Sequence, residues 1–137
     1  MSFLVDTNVV SEMTRKRPSP RVQTWLESRG EETLFLSAIT IGEIRKGAML
    51  AEAGKRKRLL DWIEHTLKPQ FEGRILPMDT QVFEKWADIQ AALQRRGKSV
   101  PVLDGLIAAT AAAHDLTVVT RNDADFRPAG VRVLNPL

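Results

Sequence analysis

Phe3-Leu4-Val5-Asp6-Thr7-Asn8 opens the chain with an apolar run that stops abruptly at a carboxylate. A short run of consecutive apolar residues suits a strand covered on both faces, as the strands of a parallel sheet are. The polar cluster after it is of the kind that closes a strand and opens a helix. The same alternation recurs along the chain. Thr33-Leu34-Phe35-Leu36-Ser37 predicts a second buried strand, followed by a helix to about Ala53 with Ile41, Ile44 and Ala48 at helical spacing. Arg74-Ile75-Leu76-Pro77, Leu116-Thr117-Val118-Val119-Thr120 and Val131-Arg132-Val133-Leu134 predict three more strands. Pro20 is suited to the first position of a helix through about Ser28. Further helices are expected over 58–67, with Leu59, Trp62, Ile63 and Leu67 on one face, over 80–96, and over 101–114. Gly54 and Gly97 are expected to punctuate. Alternating strands and helices predict an α/β fold with a central, mostly parallel sheet covered on both faces. Residues 1–137 are expected to form one domain.

Composition narrows the chemistry. Cysteine and tyrosine are absent and only two histidines occur, His65 and His114. Thiolate nucleophiles, disulfides, iron–sulfur clusters and Cys-based zinc sites are excluded. The formal net charge is +3, and the cations cluster at Arg15-Lys16-Arg17, at Lys55-Arg56-Lys57-Arg58, and at Arg95, Arg96 and Lys98. A solvated helix face is the plainer reading of Lys55–Arg58. The first residues lack a basic stretch followed by a long apolar core, and no apolar run approaches the ~18 residues of a membrane span. A cytoplasmic protein with no membrane association is expected.

In an open parallel sheet, ligands bind beyond the carboxyl ends of the strands. The acids there are the candidates. Asp6 follows strand one, Glu43 lies in the first turns of the helix after strand two, and Asp104 lies early in the 101–114 helix. Asp125 falls in the segment Thr120-Arg121-Asn122-Asp123-Ala124-Asp125 after strand four. Each has a plainer role. Asp6 suits an N-cap, Thr40-Ile41-Gly42-Glu43 has the spacing of a capping box, Asp104 complements a helix dipole, and Asp125 suits a turn cap. Asp104, flanked by Val100, Val102, Leu103, Leu106 and Ile107, is expected to be largely shielded from water. Gathered together, four carboxylates repel one another, and a divalent cation relieves the repulsion. An all-oxygen donor set suits Mg²⁺ or Mn²⁺ rather than zinc. Such a centre with a basic rim suits phosphodiester chemistry on a nucleic acid.

These segments resemble the motifs of PIN domains. Phe3-Leu4-Val5-Asp6-Thr7-Asn8-Val9 is similar to the family's opening motif, and 37–47, centred on Glu43, to its second. Leu103-Asp104-Gly105-Leu106-Ile107-Ala108-Ala109 is similar to the third and 118–126 to the fourth. Size and wording resemble VapC-type toxins of toxin–antitoxin modules, including the FitB-like branch. The resemblance implies a three-layer α/β/α sandwich and an Mg²⁺-dependent endoribonuclease, with Mn²⁺ as a substitute. It implies a homodimer silenced by a small cognate antitoxin, which carries the contact to operator DNA. It implies Asp6 and Asp104 as metal ligands, Glu43 and Asp125 as further catalytic acids, and Thr7, Asn8, Thr120 and Asn122 as supporting polar groups. Two departures stand out: Gly105 where alanine is usual, and Asp123 as an extra acid. Asp125 is preferred as the fourth acid because it directly precedes Phe126, as in the family pattern.

The expected reaction hydrolyses RNA to 5′-phosphate and 3′-hydroxyl ends. The alternative is a catalytically inactive PIN-like module that binds RNA or a partner. A phosphatase of the haloacid dehalogenase type is disfavoured, because Asn8 stands where that chemistry needs a second Asp. Trp25, Trp62 and Trp86 are expected in the core, and the segment 52–67 is expected to line a groove for an antitoxin helix.

Overall fold

The computed structural model describes residues 1–137. Five short strands, β1 (Phe3–Val5), β2 (Leu34–Ser37), β3 (Ile75–Leu76), β4 (Thr117–Val119) and β5 (Val133–Leu134), form one sheet in the order β3-β2-β1-β4-β5. Every neighbouring pair is parallel. Phe3 pairs with Leu34 on one side and with Thr117 on the other, which makes β1 the central strand.

Helices cover both faces, as the consecutive apolar residues predict. Phe3 and Val5 of β1, with Leu34 and Leu36 of β2, join Val9, Val10, Val22, Ile44, Ala48, Ile63, Leu67 and Phe71 in one core. These come from α1 (Thr7–Val10), α2 (Pro20–Glu27), α3 (Ala38–Leu50) and the helical stretch that follows it. Leu4 and Val118 point the other way, onto Ile107, Ala108 and Ala111 of α7 (Val102–Ala113) and Phe126 of α8 (Asp123–Phe126). α6 (Thr80–Arg95), which precedes α7 in the chain, packs along it. The result is a three-layer α/β/α sandwich, as expected.

One helix differs from its expectation. The stretch predicted over 58–67 begins at Ala53 as α4 (Ala53–Trp62). It continues through a π-turn, Ile63–Leu67, into α5 (Lys68–Gln70). Glu52 accepts from the Lys55 N–H at 2.8 Å and so starts the helix early, leaving Gly54 inside the first turn rather than at a break. Gly97 does end α6, with φ +65°. Trp25 and Trp62 are half-buried against the first core, and Trp86 is half-buried on α6 beside Gly105.

The order of the sheet positions the site. From β1 the chain steps outward to β2 and β3. It then returns through α6 and α7 to the other side of β1, so the direction reverses between β1 and β4. The carboxyl ends of these two strands open the crevice of an α/β switch point.

Candidate active site

Asp6 is the residue at which β1 ends. Its backbone N–H completes the ladder to Val119 (2.9 Å), and its side chain then caps α1 by accepting from Thr7 N–H at 2.8 Å. The N-cap role is therefore real, but it uses only Oδ1. Oδ2 accepts from the Thr120 hydroxyl at 2.8 Å, across from the end of β4. At 5% exposure Asp6 is a buried carboxylate. Burial pushes its pKa up, the bonds from Thr120 and Thr7 pull it down, and Glu43 adds repulsion; the net shift is upward.

Glu43 reaches the same crevice from α3. That helix starts at Ala38 with Ser37 as its cap, the Ser37 Oγ accepting from Ile39 N–H at 3.1 Å. Thr40 consequently lies inside the first turn, and the capping box expected from Thr40-x-x-Glu43 does not form. Glu43 is instead met by the Thr7 hydroxyl, which donates at 2.6 Å.

Asp104 sits in the first turn of α7, where the helix dipole favours it. It is half-buried rather than shielded, because Val102 and Leu103 turn outward, 64% and 45% exposed. The first turn projects beyond the sheet, so only residues from Gly105 onward reach the core. Even so, its pKa is raised to about 6, by partial desolvation first, then by repulsion from Asp6, Asp125 and Glu43. The fold thus brings Asp6, Glu43 and Asp125 within electrostatic reach of Asp104, and Glu43 within reach of Asp6.

The two candidates for the fourth acid part company. Asp123 turns to the outer surface, where Arg127 donates at 2.9 Å and Asn135 at 3.3 Å, holding its carboxyl below the usual range. Asp125 is exposed, lies within the first turn of α8, and adds its charge to Asp104. It caps no turn.

The supporting groups form one connected set. Asn8 Nδ2 donates to Thr120 Oγ1 at 3.3 Å, and the Asn122 N–H donates to the same oxygen at 3.0 Å. Thr120 accepts both and spends its single proton on Asp6. Asn122 contributes its backbone rather than its side chain to this set. Sequence reasoning missed two members of the surroundings. Arg121 N–H donates to Asn8 Oδ1 at 3.2 Å, and the Arg121 guanidinium binds the buried Glu12 at 2.6 Å. The available signal was a lone acid between Val10 and Met13, directly after the apolar pair Val9-Val10.

The donor set is compatible with a hard divalent cation. It is all oxygen, it is electrostatically frustrated without a counter-charge, and neither histidine is part of it. No three acidic or histidine side chains are drawn tightly enough to wrap one ion. That spacing suits an ion held by few carboxylates and completed by water, the habit of Mg²⁺.

Fold and site together define a class: parallel α/β proteins with a carboxylate centre at the switch point of the sheet. Residues 3–131 match the PIN domain family. The chain is 46% identical to Toxin FitB of Neisseria gonorrhoeae over 98% of its own length and 97% of that protein's. It is 40% identical to a VapC ribonuclease of Sinorhizobium fredii, over 98% and 96%. A solved structure of FitAB bound to a DNA fragment superposes with a TM-score of 0.92 at 44% identity, covering 98% of this chain and 94% of that one. The chain belongs to the PIN domain family, in its FitB and VapC toxin branch.

Proposed function

We propose that this protein is the endoribonuclease toxin of a toxin–antitoxin pair, hydrolysing RNA phosphodiesters with Mg²⁺, for which Mn²⁺ can substitute. The observation that carries the reading is the gathering of Asp6, Glu43 and Asp125 around Asp104 at the switch point, where partial burial first and the neighbouring carboxylates second raise the Asp104 pKa to about 6. Its support from outside the chain is the ribonuclease name of one relative and the toxin name of another.

Asp6 and Asp104 are the residues that would hold the ion, with Glu43 and Asp125 acting through water. When bound, a divalent cation supplies charge neutralisation for the phosphodiester and acidifies water. The chain's own groups do the rest. Thr120 and the Thr7 N–H fix the two oxygens of Asp6, and each oxygen keeps further acceptor capacity for an ion. The Thr7 hydroxyl fixes Glu43 so that it can orient the attacking water or accept its proton. Asn8 and Asn122 hold Thr120 from behind. Attack at phosphorus with the 3′ oxygen leaving gives 5′-phosphate and 3′-hydroxyl ends.

The partners follow the family. They are RNA as substrate, a second copy of the chain, and a small antitoxin through which operator DNA is reached, in keeping with FitAB seated on DNA. The α4 cations Lys55–Arg58 are exposed, and we assign the segment 52–67 to the antitoxin groove. No helix is long and apolar enough to cross a membrane.

The test is Asp6→Asn, assayed for RNA cleavage with end-group analysis and for a thermal shift on adding Mn²⁺. Expected are loss of cleavage, loss of the shift, and an unchanged far-UV spectrum. Undiminished cleavage in the variant, or in wild type with excess EDTA, overturns the reading. RNA binding without cleavage by the wild type would indicate the inactive module instead.

A further inference from the structure

We infer that Glu12 is a positioning residue of this site, acting through Arg121; its catalytic consequence rests on the nuclease reading above. Glu12 lies on the single 3-10 turn, Ser11–Thr14, that prolongs α1. It is only 2% exposed and nevertheless fully partnered. Arg121 Nη1 donates at 2.6 Å, Arg15 Nη1 lies at 3.3 Å, and the Ser19 N–H donates to its other oxygen at 3.2 Å. Arg15 is mostly exposed, whereas Arg121 is one-third exposed. The second is thus the partner that a buried carboxylate depends on, since an unpaired buried charge is costly.

The pair joins the two loops that carry the site. Arg121 stands between Thr120 and Asn122, just beyond β4, while Glu12 belongs to the turn that follows Asp6, Thr7 and Asn8. Holding the guanidinium holds the Arg121 backbone, and its N–H donates to Asn8 Oδ1 at 3.2 Å. That single bond decides how the Asn8 amide faces. With Oδ1 engaged, Nδ2 is turned to Thr120, donating at 3.3 Å. Thr120 Oγ1 already accepts from Asn122 N–H, so its one proton goes to Asp6 Oδ2. Glu12 thereby fixes the donor–acceptor polarity of the chain Arg121–Asn8–Thr120–Asp6 without touching the crevice. Outer groups of this kind change affinity or activity by about 10–100-fold when removed.

The test is Glu12→Gln in the full chain, with two readouts. Amide hydrogen exchange at Arg121 is expected to quicken by about 10-fold or more, while Val118 N–H, bonded to Arg132 within the sheet, keeps its rate. With Mn²⁺ and a fluorophore–quencher oligoribonucleotide, kcat is expected to fall about 10-fold, with KM within about 2-fold. Arg121→Gln is expected to lower kcat similarly, and the double variant to be no worse than the poorer single. Unchanged exchange at Arg121, or equal acceleration at Val118, overturns the proposal. Should Glu12→Gln not fold, Glu12→Met/Arg121→Met leaves no buried charge unpaired, and the same acceleration is expected at the residue-121 amide. If Asp6→Asn abolishes cleavage but Glu12→Gln keeps wild-type kcat, the positioning role fails and the nuclease reading stands. If Asp6→Asn cleaves normally, the nuclease reading fails and the exchange result decides the Glu12–Arg121 linkage alone.

Discussion

The hydroxyl of Thr7 donates a 2.6 Å hydrogen bond to the carboxylate of Glu43, a residue 36 positions later in the sequence. This bond ties the end of the central strand to the helix that follows its neighbour, and it replaces the capping role that the local sequence offers Glu43. Thr7→Val keeps the shape and removes the donor. A hydrogen bond to a charged group contributes about 1.5–3 kcal/mol, and the half exposure of both residues places the expected stability loss at the low end. Cleavage is expected to fall about 10-fold. Equilibrium denaturation and kcat/KM check both, and wild-type cleavage in Thr7→Val would remove Thr7 from the site.

Asp104 gives a pH signature. Its carboxyl titrates near 3.8 in the open chain and near 6 in the fold. Between those values the folded protein binds more protons than the unfolded one, so stability falls as pH rises through that window. Asp6, whose pKa is also raised, adds a term of the same sign. The metal-free protein is therefore expected to lose Tm between pH 4 and pH 6.5. Asp104→Asn is expected to decline less and to melt higher than wild type at pH 7. A wild-type Tm profile in the variant would show that the fold does not hold the Asp104 carboxyl above its ordinary range.

The fourth acid can be settled by a pair of variants. Asp123 is engaged with Arg127 and Asn135 on the outer surface, whereas Asp125 faces Asp104 electrostatically. Asp125→Asn is expected to reduce cleavage by about 10-fold or more, and Asp123→Asn to leave it within about 2-fold. The reverse ranking in a cleavage assay would reassign the role.

Gly105 allows α6 and α7 to approach closely. A Cβ there would lie 2.7 Å from Gln90 Nε2, 3.4 Å from Val100 Cγ2 and 3.6 Å from Trp86 Nε1. The nearest atom is the end of a flexible amide that can swing aside, and the other two contacts are tolerable. Gly→Ala in a helix interior gains up to about 1 kcal/mol. Gly105→Ala, the residue usual in the family, is expected to raise Tm by a few degrees with cleavage retained. A lower Tm would mean that Gln90 cannot move.

The alternation of strands and helices and the acids at the strand ends are legible in the local pattern of residues. Periodicity and turn chemistry are local, and they survive without knowledge of what packs against what. Asp6 directly after β1 and Asp104 in the first turn of α7 were legible for that reason. Relations between segments distant in the chain emerge only once the sheet and its helices have packed. The order β3-β2-β1-β4-β5 brings Thr120 onto Asp6. Burial of the turn after α1 pairs Glu12 with Arg121, 109 residues away. The projection of the first turn of α7 leaves Asp104 half open to solvent, and the Arg127 contact draws Asp123 away from the crevice. Each of these depends on long-range packing and on which of several possible polar partners lies within reach once the sheet has formed, and no local pattern of residues encodes that.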